Sequence, residues 1–139
     1  MAKTVLISCV SSKLTHRAKA KDLYISPLFK YNLRYARTLN PENILILSAK
    51  YGLVPLEKEI DPYNQTLNTM KDKEIKSWAE QVIHELKKEV DLNTDEIIFL
   101  AGSRYRKYLI PHIKNYKIPL QGLGIGKQLQ FLKGKVQHE

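Results

Sequence analysis

Three apolar runs of strand length punctuate the chain: Thr4-Val5-Leu6-Ile7, then residues 43–48 (Asn43-Ile44-Leu45-Ile46-Leu47-Ser48), then Glu96-Ile97-Ile98-Phe99-Leu100-Ala101. Near-continuous rather than alternating hydrophobicity marks strands buried on both faces, as in parallel sheets. Helical patterns separate them. Ser26-Pro27 reads as an N-cap followed by proline in the first turn, opening a helix that runs to about Leu39 and stops at Asn40-Pro41. Ile75, Trp78, Ala79, Val82, Ile83, Leu86 and Val90 recur at helical spacing and predict a second, longer helix. Its other face carries Lys73, Glu74, Glu80, Glu85, Lys87 and Lys88, which read as solvated, and Trp78 and His84 read as structural.

The remaining segments are less regular. Residues 14–25 read as a basic loop, and the connection 49–68, with Pro55 and Pro62, is long enough to suggest a functional loop. Tyr105, Tyr108, Leu109, His112 and Ile113 repeat the helical spacing until Pro111 interrupts it. Ile118-Pro119-Leu120 reads as a short edge strand, and a final helix runs through Leu132. Strand and helix alternate, so residues 1–139 are expected to form a single three-layer-like α/β domain with a short, mainly parallel sheet flanked by helices. A chain of 139 residues can bury roughly two-thirds of its unfolded surface in one core.

The strand ends carry the candidate chemistry. In open α/β sheets ligands bind beyond the carboxyl ends of strands. The first run leads into Ser8-Cys9-Val10-Ser11-Ser12-Lys13, the second into Ser48-Ala49-Lys50-Tyr51-Gly52, and the third into Gly102-Ser103. Ser11, Ser12 and Lys13 suit either a serine–lysine base pair or a phosphate contact. Cys9 suits either an activated thiol or a small buried hydrophobe. Tyr24, Tyr51, Tyr63 and Tyr105 lie beside these motifs, where rings either stack on a base or border the core. Gly122, Gly124 and Gly126 with Lys127 lack the spacing of a phosphate loop but supply amides and a cation for an anion.

Charge sharpens the expectation about partners. The net charge is +9. Residues 1–56 hold nine basic against two acidic side chains, residues 57–101 six against eleven, and residues 102–139 eight against one. The positive charge therefore accompanies the strand-end motifs and points to a nucleic acid or nucleotide, with no membrane partner expected. One cysteine and four scattered histidines give no metal signature, and no cofactor is implied. No run suits a signal peptide or a membrane span, so a cytoplasmic location is expected. The oligomeric state is left open.

The same motifs resemble those of the YaaA-like proteins, whose best-known members are peroxide-stress DNA-binding proteins, and of a short bacterial and phage branch beside them. The matching elements are Leu6-Ile7-Ser8 through Lys13, Leu47-Ser48 with Tyr51-Gly52 and Pro62-Tyr63, Phe99 to Ser103 with Tyr105, and Asp22-Leu23-Tyr24 with Ser26. The Cys9-Val10-Ser11-Ser12-Lys13 opening is also similar to the Cys-Ser-x-x-Lys one in the terminal domain of archaeosine synthase, which modifies a deazaguanine base in transfer RNA. The resemblance implies an enzyme acting on a nucleobase, nucleotide or nucleic acid, by base modification or glycosidic-bond cleavage. The other reading is a non-catalytic nucleic-acid-binding protein, in oxidative stress. Lys13, Ser12 and Tyr63 are the expected catalytic residues. Cys9, Ser11, Tyr24, Ser26, Ser48, Lys50, Tyr51, Gly52, Gly102, Tyr105, Gly124, Gly126 and Lys127 are the expected substrate contacts.

Overall fold

The computed structural model describes residues 2–8 and 12–136. Its centre is the strand β1 (Lys3–Ser8), of which Val5, Leu6 and Ile7 are wholly buried. After it come the two-residue strand β2 (Ala18–Lys19), the short helix α1 (Ala20–Leu23) and the helix α2 (Pro27–Thr38). The hairpin β3 (Asn43–Ser48) and β4 (Gly52–Pro55) follows, then β5 (Glu59–Ile60) and the long helix α3 (Asp72–Leu86). The chain closes with β6 (Glu96–Leu100), the single turn α4 (Ser103–Arg106), β7 (Asn115–Lys117) and α5 (Ile125–Val136).

Five strands form one sheet in the order β4-β3-β1-β6-β7. β1 pairs in parallel with both neighbours, so that Val5 stands opposite Ile44 on one side and Ile98 on the other. β6 and β7 are also parallel, and only β4 runs antiparallel. The sheet is therefore α/β and mainly parallel, as the three apolar runs imply. From β1 the chain moves one way to β3, then crosses back over β1 to β6 and β7. Right-handed crossovers in opposite directions place their helices on opposite faces. α2 packs on β1 and on α5, while α3 packs on β4 and α4.

Local sequence explains the helices. The Ser26 hydroxyl accepts the Phe29 N–H at 3.3 Å, and Pro27 occupies the first helical position. At α3 the Glu74 carboxylate accepts the Lys71 N–H, half of a capping box. The α3 stripe from Ile75 to Leu86 is buried, with Val90 buried beyond the helix end.

Three expectations need correction. The connection 49–68 is not one loop, because Gly52 turns the chain into β4, with φ at +77°, a region open chiefly to glycine. The basic stretch 14–25 contains β2 and α1, and β2 pairs with β5 as a small antiparallel ribbon. The edge strand is 115–117 rather than 118–120, since Asn115, Tyr116 and Lys117 have N–H groups to pair with β6 that Pro119 lacks.

Candidate functional site

The direction of the chain reverses between β1 and β6, and such a switch point leaves a crevice at the strand carboxyl ends. A cleft of about 600 Å³ lies there, within the usual range of small-ligand sites, about 300–1,000 Å³. Ser8 from the end of β1 and Leu100 to Arg106 from the end of β6 and α4 form one side. The first two turns of α2, from Ser26 to Asn32, form another, and residues of the segment 120–129 form the third. The Ser8 hydroxyl accepts the Gly102 N–H at 3.1 Å and so fixes the two strand ends together.

The walls are mainly apolar, from Leu28, Phe29, Leu100, Leu120, Leu123 and Leu129. Ile125, 65% exposed, adds an uncovered side chain to the same lining. Against this background Asn32 stands out. It is 3% exposed, lines the cleft, and its Oδ1 has no hydrogen-bond partner among the described residues. An amide buried without partners carries a desolvation penalty of about 1–3 kcal/mol. Asn offers an acceptor and two donors on one planar group, the complement of a nucleobase edge.

Arg104 and Arg106 also line the cleft, and both line a second depression of about 530 Å³ with Ser103, Asp72, Lys107 and Tyr108. Arg106 donates to the Ala101 carbonyl at 2.6 Å, and burial pulls its guanidinium below its ordinary value. Tyr108 donates to the Asp72 carboxylate. That bond, then Lys107, Lys76 and Arg104, hold Asp72 below the usual carboxylate range. Among the described residues no carboxylate forms an ion pair with Arg104.

The expected site residues divide. Ser26, Gly102 and Tyr105 line the cleft. Tyr105 is buried, meets Trp78 edge-on at 5.8 Å, and accepts the Leu67 N–H at its hydroxyl. A second group gathers around Tyr63. The Tyr24 and Tyr63 hydroxyls lie 2.6 Å apart in the interior, with the Lys13 ammonium 4.6 Å from the Tyr63 ring centre and 5.7 Å from that of Tyr24. Tyr51 meets Tyr63 edge-on at 5.6 Å, and the Lys50 ammonium sits 5.2 Å from the Tyr51 ring centre. The two groups meet at Phe29, which lines the cleft and lies 5.2 Å from Tyr24. Lys13 and Tyr63 thus stand one ring behind the cleft wall, with Tyr51 and Lys50 beyond them, and none of the four belongs to the lining.

Other expected contacts serve the backbone. Ser48 is wholly buried, and its hydroxyl accepts the Lys50 and Tyr51 N–H groups while its carbonyl accepts the Trp78 indole. Gly52 faces α3: a Cβ there would lie 2.5 Å from the Glu85 carboxylate. Ser12 is exposed, and its carbonyl accepts the Ile25 N–H. Gly124, Gly126 and Lys127 are exposed at the start of α5 and lie outside the lining, whereas Gly122 and Gln128 belong to it. Cys9 and Ser11 lie outside the described residues. No group of three potential metal ligands occurs among the described residues. Nor is any described helix long and apolar enough to cross a membrane.

Asn32, Arg104 and Arg106 escaped sequence reasoning. The signal for Asn32 was present: Phe29, Asn32, Leu33 and Ala36 follow i, i+3, i+4, i+7, so a polar residue occupies a core position of α2.

The model of a family of unknown function, DUF6884, matches residues 4–134, and the chain belongs to that family. It is similar to the uncharacterized protein YfjM of Bacillus subtilis strain 168, 29% identical over 150 residues that cover 100% of this chain and 98% of the relative. No solved structure matches it.

Proposed function

We propose that this member of the DUF6884 family binds the base of a nucleotide or nucleic acid in the switch-point cleft and acts on it as an enzyme. Base modification or cleavage at a glycosidic bond is the class of reaction. The observation that carries the reading is Asn32, a buried amide whose oxygen has no partner among the described residues, on the wall of a mainly apolar cleft. A planar heteroaromatic ligand supplies what the amide lacks, and the leucine and phenylalanine walls suit its faces. Arginines at one side suit its phosphate. The resemblance of the strand-end motifs to YaaA-like proteins points the same way.

Within this reading the residues divide by position. Asn32 reads the base edge. Ser8, Ser26, Ser103 and Tyr105 line the cleft, and in this reading their hydroxyls hydrogen-bond the ligand. Tyr24 packs on Phe29 from behind, with Tyr63 and Lys13 against Tyr24, and in this reading the three position Phe29 rather than react.

The test is a mass-spectrometric survey of free bases and nucleosides after incubation with DNA, transfer RNA and a nucleotide panel. A product formed by wild type, lost in Asn32→Leu and retained in part by Lys13→Ala supports the reading. Loss of product in Lys13→Ala with full binding would return catalysis to the lysine. A non-catalytic nucleic-acid-binding protein is the second reading, favoured by the basic residues of the two terminal segments. Salt-sensitive binding with no product across the panel would support it.

A further inference from the structure

The cleft and the second depression share a wall. Ser103, Arg104 and Arg106 line both, so the two hollows adjoin across α4. The two hollows differ in character. The first is mainly apolar, with the amides of Asn32, Asn68 and Gln128; the second is edged by Arg104, Arg106 and Lys107 against the single carboxylate of Asp72. Lys76 adds a further cation, 5.4 Å from the Tyr108 ring centre.

These cations are not all occupied. Arg106 is committed to the Ala101 carbonyl. Lys107 stands 4.0 Å from Asp72, the outer limit of an ion pair, and both side chains are mostly exposed. Asp72 already takes the Tyr108 hydroxyl. Arg104 is exposed, with no carboxylate in pairing distance among the described residues. One acid therefore faces several cations: Arg104 and Arg106 stand between the two hollows, and Lys107 lies beyond the base-sized cleft. A lone nucleoside monophosphate would leave most of that charge unused.

Resting on the reading of the cleft as a base site, we infer that its ligand is a single-stranded nucleic acid. One unstacked base enters beside Asn32, and the adjoining backbone crosses α4, with its phosphates on Arg104 and Lys107. A duplex presents its bases stacked and paired, so an apolar-walled pocket of this size accepts a base only from a single strand or after extrusion. The backbone contacts are charge contacts and carry no sequence information; the base edge carries it.

The experiment compares nucleosides, nucleoside 5′-monophosphates, hexanucleotides of DNA and of RNA, and the matching DNA duplexes. Each is titrated at several salt concentrations into wild type, Asn32→Leu and the double variant Arg104→Gln, Lys107→Gln. Both basic residues are exposed, so the double variant is expected to keep its fold, checked by its melting temperature. The expected result is a hexanucleotide bound at least about tenfold more tightly than its monophosphate. The double variant should lose that gain. Its salt slope should fall by about 1.4, roughly 0.7 for each single-strand phosphate that the variant no longer neutralises. The DNA and RNA arms identify which strand is preferred.

Equal affinity for monophosphate and hexanucleotide, unchanged in the double variant, would overturn the inference and leave the base site intact. A duplex bound as tightly as its single strands would overturn it too. Nucleotide binding that is identical in wild type and Asn32→Leu would instead overturn the base site itself.

Discussion

Replacing Asn32 by leucine separates function from stability at the cleft. The two side chains have nearly the same shape, so the change removes polarity without opening a cavity. Asn32 is 3% exposed, and its Oδ1 has no partner among the described residues. Leaving such a group buried costs about 1–3 kcal/mol, a penalty that leucine does not carry. Its neighbours on the cleft side of α2 are Leu28 and Phe29, which suit an apolar replacement. For a chain of this size roughly 3–5 °C of melting temperature corresponds to each kcal/mol, so Asn32→Leu should melt roughly 3–15 °C above wild type without ligand. The assay is thermal unfolding followed by circular dichroism, with and without a nucleotide panel. Ligand should raise the wild-type transition and leave the variant unmoved. A variant that melts several degrees below wild type would refute the reasoning, since Asn32 would then be a satisfied structural group.

Other perturbations probe the scaffold. Gly52→Ala should destabilise by about 2–3 kcal/mol, combining a left-handed backbone with displacement of the Glu85 carboxylate that accepts the Leu53 N–H; denaturant unfolding measures it. Trp78→Phe should cost about 1–3 kcal/mol by leaving the buried Ser48 carbonyl without its indole donor, again read by denaturant midpoint. Tyr63→Phe should cost about 1–2 kcal/mol by removing the interior hydroxyl pair with Tyr24, while nucleotide affinity changes little. The folded-state pKa of Asp72 is depressed, chiefly by the Tyr108 hydrogen bond, so its stabilisation is present above the ordinary aspartate range and is lost as pH falls through the depressed value. The melting-temperature gap between wild type and Asp72→Asn should therefore shrink on acidification from neutral pH.

How far the sequence reveals the fold follows from what each pattern encodes. β1, β3 and β6 are legible because strands buried on both faces need continuous apolar runs, and α3 because seven positions repeat one spacing. β4 is hidden, since four residues ending in Pro55 carry little pattern and its existence depends on pairing with β3. The two-residue strands β2 and β5 exist only through each other. At the site, position along the chain identified the strand ends but not the directions of their side chains. Ser48 and Gly52 read as ligand contacts, yet the antiparallel return of β4 and the indole of Trp78 close that strand end. Tyr24, Tyr51 and Tyr63 turn toward one another beside Lys13 rather than toward the crevice, and of the tyrosines beside the motifs Tyr105 alone lines it. Asn32 lies in a helix far from any strand-end motif, and only its place in an apolar stripe sets it apart.

A base meeting the amide of Asn32 is the central contact of the proposed site. Its most direct test follows the Asn32 side-chain amide signal by nitrogen-15 NMR, assigned by its absence in Asn32→Leu, during titration with nucleoside 5′-monophosphates and single-stranded hexanucleotides. The expected result is a saturable shift of that signal, at the same midpoint as shifts in Gly102 and Leu123. Saturable binding that moves the signals around Lys13 and Tyr63 while the Asn32 amide stays still would contradict it.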